Sequence, residues 1–161
     1  AMKRPTLLPG GVLLCSGARW ADSHSYPSGG LKVWLPEGWR VEVDETALFG
    51  ESPDGDSFVL LEVMEGAEGM DEARGSYLKA LQESFPDFEL EEGEGEEGEI
   101  NGIRASYFRG NATKEGKGWS LEVVVLVTER TALLFIDGVA EQKVSQYAPI
   151  TEKIIKSLEK I

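Results

Sequence analysis

Hydrophobic and polar positions are most sharply patterned from Trp119 to Gly138, W-S-L-E-V-V-V-L-V-T-E-R-T-A-L-L-F-I-D-G. Two apolar, β-branched runs flank a polar Thr128-Glu129-Arg130-Thr131 step, which predicts a β-hairpin. On the first run Trp119, Leu121, Val123, Val125 and Val127 form one apolar face. The alternate positions change along it, from polar Ser120 and Glu122 to apolar Val124 and Leu126. The return run, Ala132 to Ile136, is apolar on both faces. A strand of that kind must be covered on both sides. The hairpin therefore predicts an antiparallel β-sheet sandwiched between helices, an α+β protein of α/β/α layering.

The flanking segments supply the covers. Leu31 to Leu35 alternates as a strand, and Pro36-Glu37-Gly38 then predicts a turn with Pro second and Gly fourth. Trp39 follows at once, placed to fold back onto the sheet edge. Arg40–Asp44, Thr46–Glu51 and Ser57–Met64 read as strands, with turn chemistry at Ser52-Pro53-Asp54-Gly55-Asp56. Met70, Ala73, Tyr77, Leu81 and Phe85 line one face of a helix over 70–85, which Pro86 ends. Asp87–Glu99 holds seven glutamates and is expected to form an exposed, mobile loop beyond a short strand-like start at Phe88 and Leu90. Ile100–Phe108 reads as a strand broken at Asn101-Gly102, and Gly110–Gly118 as a polar turn. Gln142–Ile161 carries the second helical stripe, with Pro149 either kinking it or opening a new helix.

Residues 1–30 read as a separate segment ahead of one domain over 31–161. Lys3-Arg4 and the apolar Leu7–Ala18 stretch have the outline of a secretory signal, interrupted by Pro9, Gly10 and Gly11. The other reading is two short strands, Thr6–Leu8 and Val12–Cys15. Ala21–Gly30, rich in Ser, Gly and Pro, reads as a linker.

At 161 residues and 41% hydrophobic content the chain can build one core. A net charge of −13 excludes nucleic acid, which needs a basic footprint, and anionic lipid likewise. The same charge favours a monomer and admits a basic partner. Cys15 is the only cysteine, so no disulfide forms within the chain. No run reaches the roughly 20 apolar residues of a membrane span.

No catalytic, metal or cofactor motif stands out. The Glu89–Glu99 tract lacks the ligand spacing of a calcium loop, and Asp54-Gly55-Asp56 reads as a turn. His24, the sole histidine, and Cys15 have no activating neighbour in the sequence. Asn111-Ala112-Thr113 matches the glycosylation pattern, a short and common one. Trp20, Trp34, Trp39 and Trp119 read as sheet and edge packing before a ligand groove. An enzyme would have to reveal itself by a pocket of converging titratable groups.

Leu35-Pro36-Glu37-Gly38-Trp39 after a first strand resembles the P-x-G-W start of a known superfamily. The single helix after the early strands, the long apolar hairpin and Tyr147–Leu158 (Y-x-P-x-x-E-K-I-I-K-S-L) are similar to it as well. That superfamily holds the PsbP extrinsic subunits of photosystem II, the Mog-type Ran-binding proteins and DcrB-like bacterial envelope proteins. The resemblance covers residues 31–161 and implies a PsbP-like sandwich acting as a non-enzymatic binding or assembly factor. It implies a bacterial cell-envelope protein with a protein partner or a small apolar ligand. A cytoplasmic chaperone-like adaptor of the DcrB-related type is the alternative. It carries over no catalytic, metal or partner-binding residue.

Overall fold

The computed structural model describes residues 20–91 and 95–161. The Leu7–Ala18 stretch and Cys15 lie outside them. Eleven strands and two helices follow in the order β1 (Ala21–Tyr26), β2 (Leu31–Pro36), β3 (Arg40–Val43), β4 (Ala47–Glu51), β5 (Ser57–Val63), α1 (Met70–Ser84), β6 (Glu89–Leu90), β7 (Glu96–Ile100), β8 (Ile103–Lys114), β9 (Lys117–Val127), β10 (Ala132–Ala140), α2 (Val144–Lys156) and β11 (Glu159–Lys160). All pairings are antiparallel. The large sheet runs β3-β4-β5-β10-β9-β8-β6 with β7 also on β8, and β1-β2-β11 form a small second sheet.

The expected hairpin is the centre of the large sheet. Val127 pairs with Ala132, and Thr128 N–H closes the turn on the Thr131 carbonyl at 2.9 Å. All nine residues of β10 are buried, because β5 and β9 flank it and both faces are covered. Two cores result. Under α1 lie Ala73, Tyr77 and Leu81 against Leu121, Val123, Val125, Leu134 and Ile136. On the opposite face Ile154, Ile155 and Leu158 join Tyr26, Leu31, Val33 and Leu35 over Val124, Leu126, Leu133 and Phe135. The second cover is thus α2 plus the small sheet, where the sequence pattern predicts a helix alone.

That difference corrects the reading of Ala21–Gly30 as a linker. Ala21–Tyr26 is a strand paired residue for residue with β2, and Tyr26 is fully buried with its hydroxyl donating to the Thr46 carbonyl at 2.8 Å. The polar residues of β1 alternate outward with buried Ala21 and Tyr26 at its ends, so composition alone misleads. The domain therefore begins before Leu31.

Four further corrections are local. The turn after β2 closes with Trp39 N–H donating to the Pro36 carbonyl at 3.2 Å, so Pro36 is first and Gly38, at φ +93°, third. That is the position where a type II turn demands a positive φ. Asn101-Gly102 and Glu115-Gly116 are both two-residue hairpin turns with positive φ throughout (49° and 82°, 55° and 76°), the geometry that matches strand twist. Strands consequently run through most of the expected 110–118 turn, and Glu96–Glu99 pair with β8 instead of forming a loop, though they stay exposed. Finally, α2 runs through Pro149, whose missing N–H leaves the exposed Ser145 carbonyl to water. It stops at Lys156, with Glu159–Lys160 returning as a strand and Ile161 exposed. Asn101 Nδ2 donates to the Lys156 and Leu158 carbonyls (2.9 and 2.8 Å), which meets the unpaired acceptors at that helix end.

Candidate functional site: a cleft between the sheet and α2

Register explains why β9 changes character along its α2-facing side. Tyr107, Val124, Phe135 and Leu61 form one cross-strand row over β8, β9, β10 and β5, and it belongs to the core. Two residues further along, the row is Arg109, Glu122, Asp137 and Val59; the next is Asn111, Ser120, Val139 and Ser57. The apolar layer stops there, and a cleft of about 520 Å³ opens between these rows and α2. Val144, Ala148, Thr151, Glu152, Ile155 and Lys156 form its helical wall, and Glu91 reaches its rim.

Asp137 is the unusual group in it. Only 3% of the residue is exposed, and its Oδ2 is buried without a hydrogen-bond partner among the described residues. Burial pushes its carboxyl well above the usual aspartate range; the opposed Glu122 carboxylate adds to this and Arg109 opposes it. The other charges of the cleft are matched. Arg109 Nε lies 3.7 Å from Glu122 Oε2, and Lys156 Nζ lies 2.7 Å from Glu152 Oε1. After those pairs, the Asp137 carboxyl, which feels Arg109 only at longer range, and the Glu91 carboxylate make no ion pair among the described residues. The cleft is therefore an acceptor site with an acidic floor.

It does converge titratable groups, the feature an enzyme would need. No nucleophile is activated there, however. Thr151 Oγ1 donates to the Ala148 carbonyl at 3.1 Å, and His24 sits half-buried on β1, on the small sheet. Among the described residues no cluster of three or more His, Cys, Asp or Glu could hold a metal ion. What the arrangement can do is accept a cationic group and exchange a proton for it.

The residues singled out in the sequence fall elsewhere. Trp39 is half-buried on the α2-side core, its ring 6.4 Å from that of Tyr147 in an edge-on contact at 78°. Trp34 is held on β2 by its backbone N–H donating to Ser157 Oγ at 2.9 Å, and Trp20 is exposed beneath Lys153. Trp119 alone faces the α1 side, so the four tryptophans share no groove. Asp54 and Asp56 are a turn, as expected, but one tied to distant elements. Asp54 Oδ1 accepts from Ser52 Oγ and Tyr147 OH, both at 2.7 Å, and Lys143 reaches both aspartates at 3.4 Å while Lys117 pairs with Asp56. The Ser52 hydroxyl first, then Tyr147, hold the Asp54 carboxyl far below its ordinary range. Asn111 is exposed on β8.

Asp137 escaped the sequence reading although its signal is there. A four-residue turn pairing Val127 with Ala132 also sets Glu122 directly opposite Asp137, two acids in one cross-strand pair, an arrangement that is destabilising unless something offsets it.

No protein-family model matches this sequence, and no curated protein sequence matches it. Solved structures do. Cyanobacterial PsbP (CyanoP) from Synechocystis sp. PCC 6803 superposes with a TM-score of 0.61 at 13% identity, over 94% of this chain and 100% of that one. The Saccharomyces cerevisiae Ran-binding protein Mog1p does so with a TM-score of 0.54 at 11% identity, over 86% and 94%. A Bacteroides thetaiotaomicron VPI-5482 protein solved at 1.50 Å gives 0.61 at 16% identity over 89% of this chain, which spans only 49% of that protein. The chain thus has the PsbP- and Mog1p-like fold, an α+β protein built on an antiparallel sheet with two helices.

Proposed function

We propose that this chain is a non-enzymatic binding or adaptor protein that takes a protein partner in the cleft between the large sheet and α2. The buried, unpartnered Asp137 Oδ2 facing that cleft carries the reading. Leaving a buried polar atom unpaired costs about 1–3 kcal/mol, a cost that folds tolerate at sites serving something other than stability. A lysine or arginine side chain from the partner meets the pair's needs. It supplies the missing donor, and the proton on Asp137 leaves as the cation arrives. The net charge of −13 draws such a partner in and favours a monomer until it comes. The fold likeness to Mog1p, a Ran-binding protein, agrees with a protein partner. A cell-envelope location rests on the signal-like outline of Leu7–Ala18 and on the family resemblance. Intact-mass measurement of the native protein tests it: cleavage near Ala18–Ala21 supports the envelope, and a full chain supports the cytoplasmic adaptor.

Val144 is exposed on the cleft's helical wall, and a photo-crosslinking residue there tests the docking. In the native host it should trap a protein with Asp137 and Glu122 intact and lose it in the Asp137→Asn, Glu122→Gln double variant. A crosslink indifferent to both substitutions overturns the reading.

A further inference from the structure

We infer that a second groove, at the end of α1 on the opposite face of the sheet, binds a small planar aromatic carboxylate. It is a hollow of about 450 Å³ walled by Phe49 of β4, Phe58 and Leu60 of β5, Phe85 just past α1, and Trp119 of β9. Phe58 is its centre. Its ring lies 6.2 Å from Phe49 and 5.8 Å from Phe85, nearly parallel to both at 21° and 11°, and 5.3 Å from Trp119 at 71°. The ring also lies against Gly138 of β10, where there is no room for a Cβ, so its position is fixed from below.

These rings are not simply core. On the same strands Leu48, Val59 and Leu61 point to the other face and are fully buried, whereas Phe49, Phe58, Leu60 and Trp119 are only half-buried. The cause is the footprint of α1, which packs on β8, β9 and β10. Phe85 is the last residue of that cover, and the aromatic surface of β4 and β5 continues past it. Largely apolar walls with a few placed polar groups are what small-ligand sites have in common.

Charge selects the ligand class. The chain carries 29 acidic and 16 basic residues, yet three of the four cation–ring contacts among the described residues gather here. Lys114 Nζ lies 4.9 Å over Phe85, Lys117 Nζ 4.9 Å over Trp119, and the Arg40 guanidinium 5.9 Å over Phe49. Of the acids nearby, Glu51 is held by Arg40 at 2.8 Å and Asp56 by Lys117 and Lys143, while Glu115 lines the groove without an ion pair among the described residues. Among the described residues Lys114 has no carboxylate partner; besides the Phe85 ring its ammonium reaches the Ser84 carbonyl at 3.4 Å. A ligand with a flat apolar body stacks on the rings, and its carboxylate pairs with Lys114 at the rim. A neutral ligand forgoes that pair, and a cationic one meets the Lys114 ammonium at the rim.

The test titrates the full chain with 1-naphthoate, 1-naphthylmethanol and 1-naphthylmethylamine, following backbone amides and the Trp119 indole N–H by NMR. Naphthoate should shift Trp119, Phe49 and Lys114 saturably and bind about tenfold tighter than the alcohol, the worth of one charge-assisted hydrogen bond. Lys114→Ala should remove that preference while the alcohol binds as before, and Lys114→Arg should keep it. Equal affinity for all three compounds overturns the inference. So do naphthoate shifts confined to the Asp137 cleft, or a Trp119 signal unmoved by naphthoate.

Discussion

Glu122 on β9 and Asp137 on β10 are direct partners in the antiparallel ladder, so two carboxyl groups share one cross-strand position under α2. Antiparallel partners lie close enough for like charges to repel. Burial, with the Glu122 charge beside it, holds the Asp137 carboxyl well above the usual range, which favours its protonated form and eases that repulsion.

That arrangement fixes a sign for the pH dependence of stability. Between the ordinary aspartate value and the raised one, the folded state binds a proton that the unfolded state has lost. Stability therefore falls as pH rises through that window. Asp137→Asn, a neutral mimic of the protonated acid, removes the dependence. The variant should melt higher than the parent at pH 8 and no higher at pH 4, by about 2–4 °C for each kcal/mol gained. Parallel melting curves across this range, separated by a constant offset, would show that Asp137 is ionised throughout.

Tyr147 joins two networks, its ring against Trp39 and its hydroxyl on Asp54. Trp39→Ala removes a half-buried indole packed on the core. About 3–5 kcal/mol is typical for a fully buried aromatic, so roughly half of that is expected here. An unchanged melting midpoint would make this corner a binding surface instead of a structural joint.

Tyr147→Phe keeps the ring and deletes the donor to Asp54. The Asp54 carboxyl is held low by Ser52 and Tyr147, so its contribution is present above the ordinary aspartate range and is lost as pH falls below it. The variant should therefore be less stable than the parent at neutral pH, with the gap closing only as pH falls well below the ordinary aspartate range. A gap that widened in acid would place the hydroxyl's contribution elsewhere.

The central hairpin was legible because burial on both faces leaves an unbroken apolar run, and β10 shows no other pattern. α1 was legible for the same reason, with the expected stripe buried from Met70 to Leu81. Strand β1 was not: its alternation runs between polar residues and only two buried ones, and its partner lies in a second sheet. Residues Glu96–Glu99 were misread because composition reports solvation, which they have, and not backbone pairing, which β8 supplies. The cleft was half-visible. Ser120 and Glu122 marked where the apolar face ends, but its depth comes from where α2 crosses the sheet, which no local pattern encodes.

Leu134 gives the plainest check on the layering. It is fully buried on β10 against the α1-side core, so Leu134→Ala should cost about 2–5 kcal/mol. A shift of the thermal midpoint too small to measure would place this strand at an edge.

Glu97 decides how the acidic edge contributes. It sits on β7 within 3.4 Å of Arg74 from α1 and 3.7 Å of Arg104 from β8, the only cations that reach the run Glu96–Glu99 among the described residues. Glu97 and Arg104 are more than half exposed, and ion pairs in that setting contribute about 0–1 kcal/mol. The neighbouring Glu96 and Glu99 make no ion pair among the described residues, although Glu99 stands opposite Arg104 in the ladder, and both add to the crowding of negative charge. Glu96→Gln and Glu99→Gln should therefore be neutral or slightly stabilising, more so at low salt where repulsion is least screened. Glu97→Gln should lose up to about 0.5 kcal/mol, as surface changes do. Melting all three at two ionic strengths separates the cases. Equal responses would mean that the Arg74 and Arg104 contacts add nothing, and that β7 is held by its backbone pairing alone.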